Sequence, residues 1–467
     1  METSLLREKL IHKEIDIDEY YSELFKKIEE TKDLNIFITF DKDFVLEQIN
    51  VLKEKLEKNE TPGRLFGIPI TIKDNILTEG LRTTCASKAL EDYMPVYNAT
   101  VIERLKSEDA VIIGKTNMDE FAMGGASETS YFGPTKNPLD PKLIPGGSSS
   151  GSAASVSTGL VNISLGSDTG GSIRQPSAFC NVTGFLPSYG SVSRYGVASM
   201  ANTLDQVGVV GKSVEDIVTT LNIIGGHDSK DMTSSQKESL DLQLKEEYTL
   251  KGKKIGVIDT EAFPIHKTVV EDYNTAIERL KSLGAEIVPI DFKYIKYSTP
   301  LYNVIMSCEV SSNLSRFDGI RYGYLAQDYS TTRELFVKTR SEEFGEEVQR
   351  RIAMGTHYLA AENDQAIYKQ GLKVRRLLQE EFEEKFKEVD FIATPTSTDL
   401  PYELGTRAGD PLADYDDGTF DVPVNLAGLC AISLPVREGI SGALQIIGNR
   451  RDDENVLNAA YCFEGGK

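Results

Sequence analysis

The sequence predicts an α/β protein built as one large domain, and three observations carry that reading. Apolar, β-branched runs of strand length recur along the 467 residues: "LFGIPITIKDNI" (65–76), Val111-Ile112-Ile113 and "DFIATPTS" (390–397). Stretches with helical spacing separate them, and in one place "KKIGVID", an amphipathic run from His266 to Leu283 and "AEIVPID" follow one another directly. That β-α-β order builds parallel sheet. Composition agrees, since 40% apolar and 26% charged residues is ordinary for a soluble globular chain.

Taken in order, residues 1–60 form a helical segment that ends at the turn signal Thr61-Pro62-Gly63. This segment mixes charge signs and has no apolar h-region, so it lacks the features of a secretory signal, and its acids argue against a transit peptide. Residues 61–215 hold a dense succession of short elements. After the strand at 65–76, Val101, Leu105 and Ala110 share one helical face before the strand at 111–113. The small residues of "SAASVSTG" then pack as a helix leading into a strand in which Val161, Ile163 and Leu165 alternate with small polar residues. Residues 227–250 turn polar and mark a surface excursion. The β-α-β segment occupies 250–295, and 330–388 is charge-rich and helical. No repeat of 20–50 residues is present, so 1–467 reads as a single domain with helical decorations.

Several functions are excluded. A net charge of −21 with no basic stripe opposes direct nucleic-acid binding. The five cysteines (Cys85, Cys180, Cys308, Cys430, Cys462) have no paired spacing, which suggests reduced thiols in a cytoplasmic compartment. No run approaches the roughly 20 apolar residues of a membrane span. Gly211-Lys212-Ser213 has Gln206 where a phosphate-binding loop needs its first glycine. The four histidines show no metal-ligand spacing, and no GxGxxG opens a helix after a strand.

The chemistry concentrates in "PGGSSSGSAASVSTGLVNISLGSDTGGSIRQP" (145–176) and upstream of it. Ser149 is the centre of a GxSxG match. However, turn-forming residues precede it, and the only late histidine, His357, lies in a charge-rich helical stretch, so a histidine-dependent triad is set aside. A lysine can activate serine instead if burial keeps it neutral. Lys73 is the sole cation in the 65–76 run; its ordinary alternative is a strand-end lysine paired with Asp74 or reaching solvent. Gly170-Gly171 directly precedes Ser172, where free backbone N–H groups could hold an oxyanion. The alternative there is an ordinary turn with a capping serine.

Together, "GIPITIKDNI", "PGGSSSGSAA" and "GSDTGGSIRQPSAFCNVTGFLPSYG" resemble the amidase signature family, continuously from about residue 60 to 215 and in patches to about 460. The resemblance implies an α/β amidase-signature fold with a large mixed β-sheet covered by helices on both faces. It implies a triad of Lys73, Ser148 and Ser172, in which Ser172 attacks the amide and Ser148 relays its proton to neutral Lys73. It also implies a cis peptide beside Ser148, and an oxyanion hole from the N–H groups of Thr169, Gly170, Gly171 and Ser172. The remaining serines are expected there for their small size.

Within the family, "NMDEFAMGGASETSYFGPTKNP" (117–138), "EVSSNLSRFDGIRYG" (309–323), "EEVQRRIAMG" (346–355) and "VPVNLAGL" (422–429) resemble the glutaminase subunits of tRNA-dependent amidotransferases. This implies glutamine as substrate and ammonia passed to partner subunits (B and C). The partner would use ATP and Mg²⁺ to amidate glutamate on tRNA(Gln) and would make most of the tRNA contact, leaving this chain without cofactor or metal. A stand-alone amidase for another small amide is the alternative. The implied glutamine pocket contains Gly124, Gly125, Tyr302 and Arg351, with Arg350 as rival. For the acid that holds the ammonium group, the usual aspartate position falls on Gly418. Asp417, Asp416 and Asp421 are then the candidates, Asp417 first among them. Ser150, where glycine is usual, and a short end at "CFEGGK" are further departures.

Overall fold

Among the described residues, eleven strands form one mixed sheet. They are β1 (Phe37–Phe40), β2 (Pro69–Lys73), β3 (Val111–Thr116), β4 (Ile163–Asp168), β5 (Thr183–Leu186), β6 (Gln206–Gly211), β7 (Lys254–Val257), β8 (Glu286–Pro289), β9 (Phe391–Pro395), β10 (Cys430–Pro435) and β11 (Ala443–Gly448). The computed structural model describes residues 1–360, 365–407 and 418–465. The strands lie in the order β1-β3-β2-β4-β6-β5-β10-β11-β9-β7-β8. β2 runs parallel to β3 and β4, and β7 parallel to β8 and β9, while the other neighbours are antiparallel.

The sheet has an apolar core on each face, and the strand pleat separates them. On β10, Ile432 and Leu434 join one cluster and Ala431 the other; on β11, Leu444 and Ile446 join the first and Ile447 the second. This is the period-two alternation of a strand buried on both sides. Helices supply the covering residues on each face. Tyr21 and Ile49 from the N-terminal helices join the first cluster, and Ile305 and Leu378 from the helices Ser298–Leu314 and Ala366–Lys385 join the second.

The expected β-α-β unit is present as β7, the helix Lys267–Ser282 and β8. One expectation fails: the segment 1–60 is not wholly helical. Phe37–Phe40 ("FITF") is aromatic and β-branched, and it pairs antiparallel with β3 at the sheet edge. Four residues are too few to register against the helical pattern on either side, although their composition favours a strand. All five cysteines are free. No helix among the described residues is long and apolar enough to cross a membrane.

Candidate active site

The helix Ser150–Ser157 ("SGSAASVS") lies against β2 and β4 because nearly every side chain on it is small, and its hydroxyls are used. Ser155 Oγ and Thr71 Oγ1 are 2.8 Å apart, Ser152 Oγ and Thr116 Oγ1 3.0 Å, and Ser152 Oγ donates to the Leu165 carbonyl at 3.1 Å. Gly151 permits the closest approach, since a Cβ there would lie 2.4 Å from the Ile36 carbonyl oxygen. Size alone therefore does not explain these serines: each buried hydroxyl has a polar partner, as burial requires.

Just before this helix, the Gly147–Ser148 peptide is cis. Ser148 is fully buried, with its Oγ 2.8 Å from Lys73 Nζ at the end of β2. Lys73 is also fully buried and donates to the Ser167 carbonyl at 3.0 Å. Burial lowers its pKa to about 7, against the opposing charges of Asp119, Asp168 and Asp205. A neutral amine keeps N–H groups for Ser167 and a lone pair for the Ser148 hydroxyl. The strand-end alternative does not hold: Lys73 does not reach solvent, and Asp74 instead lies 3.3 Å from Lys115 Nζ, also buried.

Ser149 Oγ donates to the Ser167 carbonyl at 3.1 Å and is fully buried, so the centre of the GxSxG match faces the interior. Ser149 N–H donates to the Ser172 carbonyl at 3.1 Å and ties the two serine segments together. Ser172 itself is partly exposed and lines a cavity of about 740 Å³. Ser148 and Lys73 stand behind that cavity's wall.

The turn that carries Ser172 is held by Asp168. Its carboxylate accepts the Gly171 N–H at 2.7 Å and the Ile173 N–H at 3.1 Å. This corrects the expected oxyanion hole, because the Gly171 amide points at Asp168 and is not offered to a substrate. The amides of Thr169, Gly170 and Ser172 remain as candidate donors, and Thr169 is pinned by its hydroxyl, which donates to Asp205 at 2.9 Å. Arg174, fully buried, contacts Asp168 through Nε (3.1 Å) and Nη2 (3.2 Å), and its Nη1 donates to Gln445 Oε1 at 2.7 Å. Burial pushes the Asp168 carboxyl up, but the charge and hydrogen bonds of Arg174 outweigh it and hold the group below the ordinary carboxylate range.

The far wall of the cavity comes from the helices Ser298–Leu314 and Glu346–Leu359. Tyr302 lies against Gly170, where an added Cβ would be 3.0 Å from its ring. Burial raises the Tyr302 phenol to about 12, with nearby Arg351 acting against that rise. Arg350 and Arg351 both line the cavity and share Glu347. Arg350 grips it with two nitrogens (2.6 and 2.7 Å), Arg351 with Nε alone (2.6 Å). Gly124 and Gly125 line the same space, and Gln175 bridges there, donating to the Gly125 carbonyl at 3.1 Å and accepting the Gly147 N–H at 2.9 Å. Asp416 and Asp417 lie outside the described residues, whereas Gly418 and Asp421 line the cavity.

A profile of the family described as Amidase matches residues 19–457. The chain belongs to the amidase family. It is 46% identical over 464 residues to the glutamyl-tRNA(Gln) amidotransferase A subunit of Caldanaerobacter subterraneus subsp. tengcongensis, covering 98% of this chain and 95% of that one. The same-named protein of Staphylococcus aureus is 44% identical, with 97% and 94% covered. The crystal structure of the same-named Thermotoga maritima protein superposes with a TM-score of 0.79 at 37% identity, covering 99% of this chain and 92% of that one.

Sequence reading missed part of this amidase's site. Asp168, Arg174 and Asn425 form the buried frame beneath the Ser172 turn, with Asn425 Nδ2 donating to Asp168 at 2.9 Å. "GSDTGGSIRQP" contains two of the three, six residues apart, but a buried ion pair and two surface charges look alike in a string of letters. Asp119, bonded by Ser127 and Thr129, and Glu347, which holds Arg350 and Arg351 one turn on in its own helix, were missed for the same reason.

Proposed function

We propose that this chain is the glutamine-hydrolysing component of a tRNA-dependent amidotransferase, releasing ammonia for a partner protein. The observation that carries the reading is one cavity with Ser172 on its near wall, backed by the Ser148–Lys73 pair, and two arginines on its far wall. Near-full-length similarity to the glutamyl-tRNA(Gln) amidotransferase proteins supports it. Lys73, whose pKa burial lowers to about 7 so that a large share of it is neutral at that pH, takes a proton from Ser148 as Ser148 takes one from Ser172, and Ser172 Oγ bonds to the amide carbon.

The negative oxygen that forms is met by the Thr169, Gly170 and Ser172 amides; loss of one such donor costs on the order of 10²–10³ in rate. The intermediate collapses as the proton returns through Ser148 to the nitrogen, and ammonia leaves. Water then attacks the Ser172 ester through the same relay and frees glutamate. Arg351 beside Tyr302 faces the substrate carboxylate, because Glu347 takes both arms of Arg350. ATP, Mg²⁺ and tRNA are assigned to the partner proteins, within the cytoplasm.

The test is ammonia release from glutamine by the chain with and without co-expressed partners, with Ser172→Ala as control. Glutamine turnover that needs Ser172 and rises with partners is the expected result. Turnover of another amide without glutamine hydrolysis in either form overturns the reading.

A further inference from the structure

The helix Glu346–Leu359 brings Glu347, Arg350 and Arg351 to the cavity, so the place where it starts decides where the arginines stand. Its N-cap is Gly345, which has no side chain to offer the first turn. In a capping box, a Glu or Gln at the third helical position takes the N-cap N–H. That position is Val348 here, an apolar residue buried in the second core cluster. The acceptor comes instead from a distant part of the chain: Glu120 Oε2 accepts the Gly345 N–H at 2.8 Å.

Glu120 is 2% exposed, and its other carboxylate oxygen accepts the Ser87 hydroxyl. The contact is tight as well as polar. A Cβ added to Gly345 would lie 2.5 Å from Glu120 Oε2, so the close approach itself requires glycine. The adjoining residues add a second tie, since the rings of Phe121 and Phe344 pack edge to face with centroids 5.8 Å apart. Glu120 and Gly345 both line the cavity, as do Gly124 and Gly125 on the Glu120 loop. That loop and the arginine helix therefore meet at one edge of the cavity through this carboxyl group. The join holds in either protonation state. Burial pushes Glu120 up to about 7, with its hydrogen bonds acting against the rise. A proton on Oε1 is donated to Ser87 Oγ, whose hydroxyl turns to the Glu343 carbonyl at 3.3 Å, and Oε2 still accepts from Gly345.

We infer that Glu120 is a positioning residue for the substrate carboxylate: by capping the helix Glu346–Leu359 from outside, it sets where Arg351 stands across the cavity from Ser172. The inference rests on the glutaminase reading of this cavity. Glu120 acts through the helix, because both of its oxygens are engaged within the protein.

The experiment takes two readings on the assembled enzyme. Glutamine affinity is measured by calorimetry in a Ser172→Ala background, where no turnover intervenes. Ser172 reactivity is measured with a small alkyl fluorophosphonate, which carries no carboxylate for Arg351 to hold. Glu120→Ala should weaken glutamine binding by at least about 10-fold, the scale of one misplaced hydrogen bond to a charged group, with Ser172 labelling within about three-fold of wild type. Glu120→Gln should bind glutamine within about three-fold of its parent, because its amide accepts from Gly345 and donates to Ser87. Gly345→Ala drives a methyl group against Glu120 and should weaken glutamine binding in the same way. The double variant should fall short of the product of the two effects, since truncating Glu120 frees the space. Labelling lost in step with glutamine binding in both Glu120→Ala and Gly345→Ala assigns Glu120 a general structural role and overturns the inference. Unchanged glutamine affinity in Glu120→Ala overturns it too, as does a Glu120→Gln as weak as Glu120→Ala. A Ser172→Ala parent that binds no glutamine sinks the glutaminase reading itself, and is distinguishable from all of these.

Discussion

Lys73 and Arg174 are both fully buried, one against Ser167 and the other against Asp168, the last two residues of β4. Lys73 makes its hydrogen bonds to neutral groups, a serine hydroxyl and a main-chain carbonyl. Arg174 has a carboxylate gripped from two nitrogens and amide oxygens from Gln445 and Asn425. Desolvation acts on both, but only Arg174 has the partners that keep a buried charge. Lys73 falls to about 7 while Arg174 is held above its ordinary value, burial being outweighed by Asp168 and Asp421. A few ångströms of surroundings thus let one amine lose its charge at about pH 7 and hold the other cation as a fixed strut under the Ser172 turn.

Exchanging the two roles breaks the comparison most severely. Lys73→Met should cut glutamine hydrolysis by on the order of 10³-fold or more, because a triad works as a unit. It should leave the thermal midpoint close to wild type, since a neutral buried amine is replaced by an apolar chain of similar length. Arg174→Met strands Asp168 as a buried unpaired charge and should cost about 3–5 kcal/mol of stability. Calorimetry and steady-state rates on both variants separate the effects; a destabilised Lys73→Met with an undisturbed Arg174→Met contradicts the assignment.

A smaller effect sharpens the account of Lys73. Among the charges acting on it, Asp119 raises its pKa most, so Asp119→Asn should lower that pKa further. Activity requires the neutral amine and rises with pH through its pKa, so the acid limb of kcat/KM should move to lower pH. A limb moving upward would contradict this. The smallest effect is expected at the far wall. Glu347→Gln loosens Arg350 and Arg351 and should raise KM for glutamine a few-fold with kcat unchanged, read from initial rates.

The near wall of the cavity was legible in the sequence and the far wall much less so. Lys73 and Ser172 stand in segments of unusual composition, a lone cation in a core strand and a glycine pair before a serine, and the family resemblance added Ser148 and tied the three together. They still meet only in the fold, since Lys73 reaches Ser148 and Ser167 from a strand far earlier in the chain. Tyr302, Arg351 and Asp421 are ordinary letters in ordinary contexts, and only the packing of two helices and the approach to β10 brings them to Ser172. The same limit explains Gly171. A glycine-rich turn signals free amides, but which amide faces inward depends on Asp168, and one of the four expected donors is consumed there. β1 escaped because four residues carry little periodic signal.

The central claim, that Lys73 loses its charge at about pH 7 and activates Ser172 through Ser148, is tested most directly by the pH dependence of Ser172 modification. A serine-directed fluorophosphonate reports nucleophile activation without ammonia transfer or product release. The predicted result is a labelling rate that rises with a midpoint at about 7, shifts downward in Asp119→Asn and collapses in both Ser148→Ala and Lys73→Met. A midpoint near that of a solvent-exposed lysine, or labelling indifferent to Ser148, would contradict it.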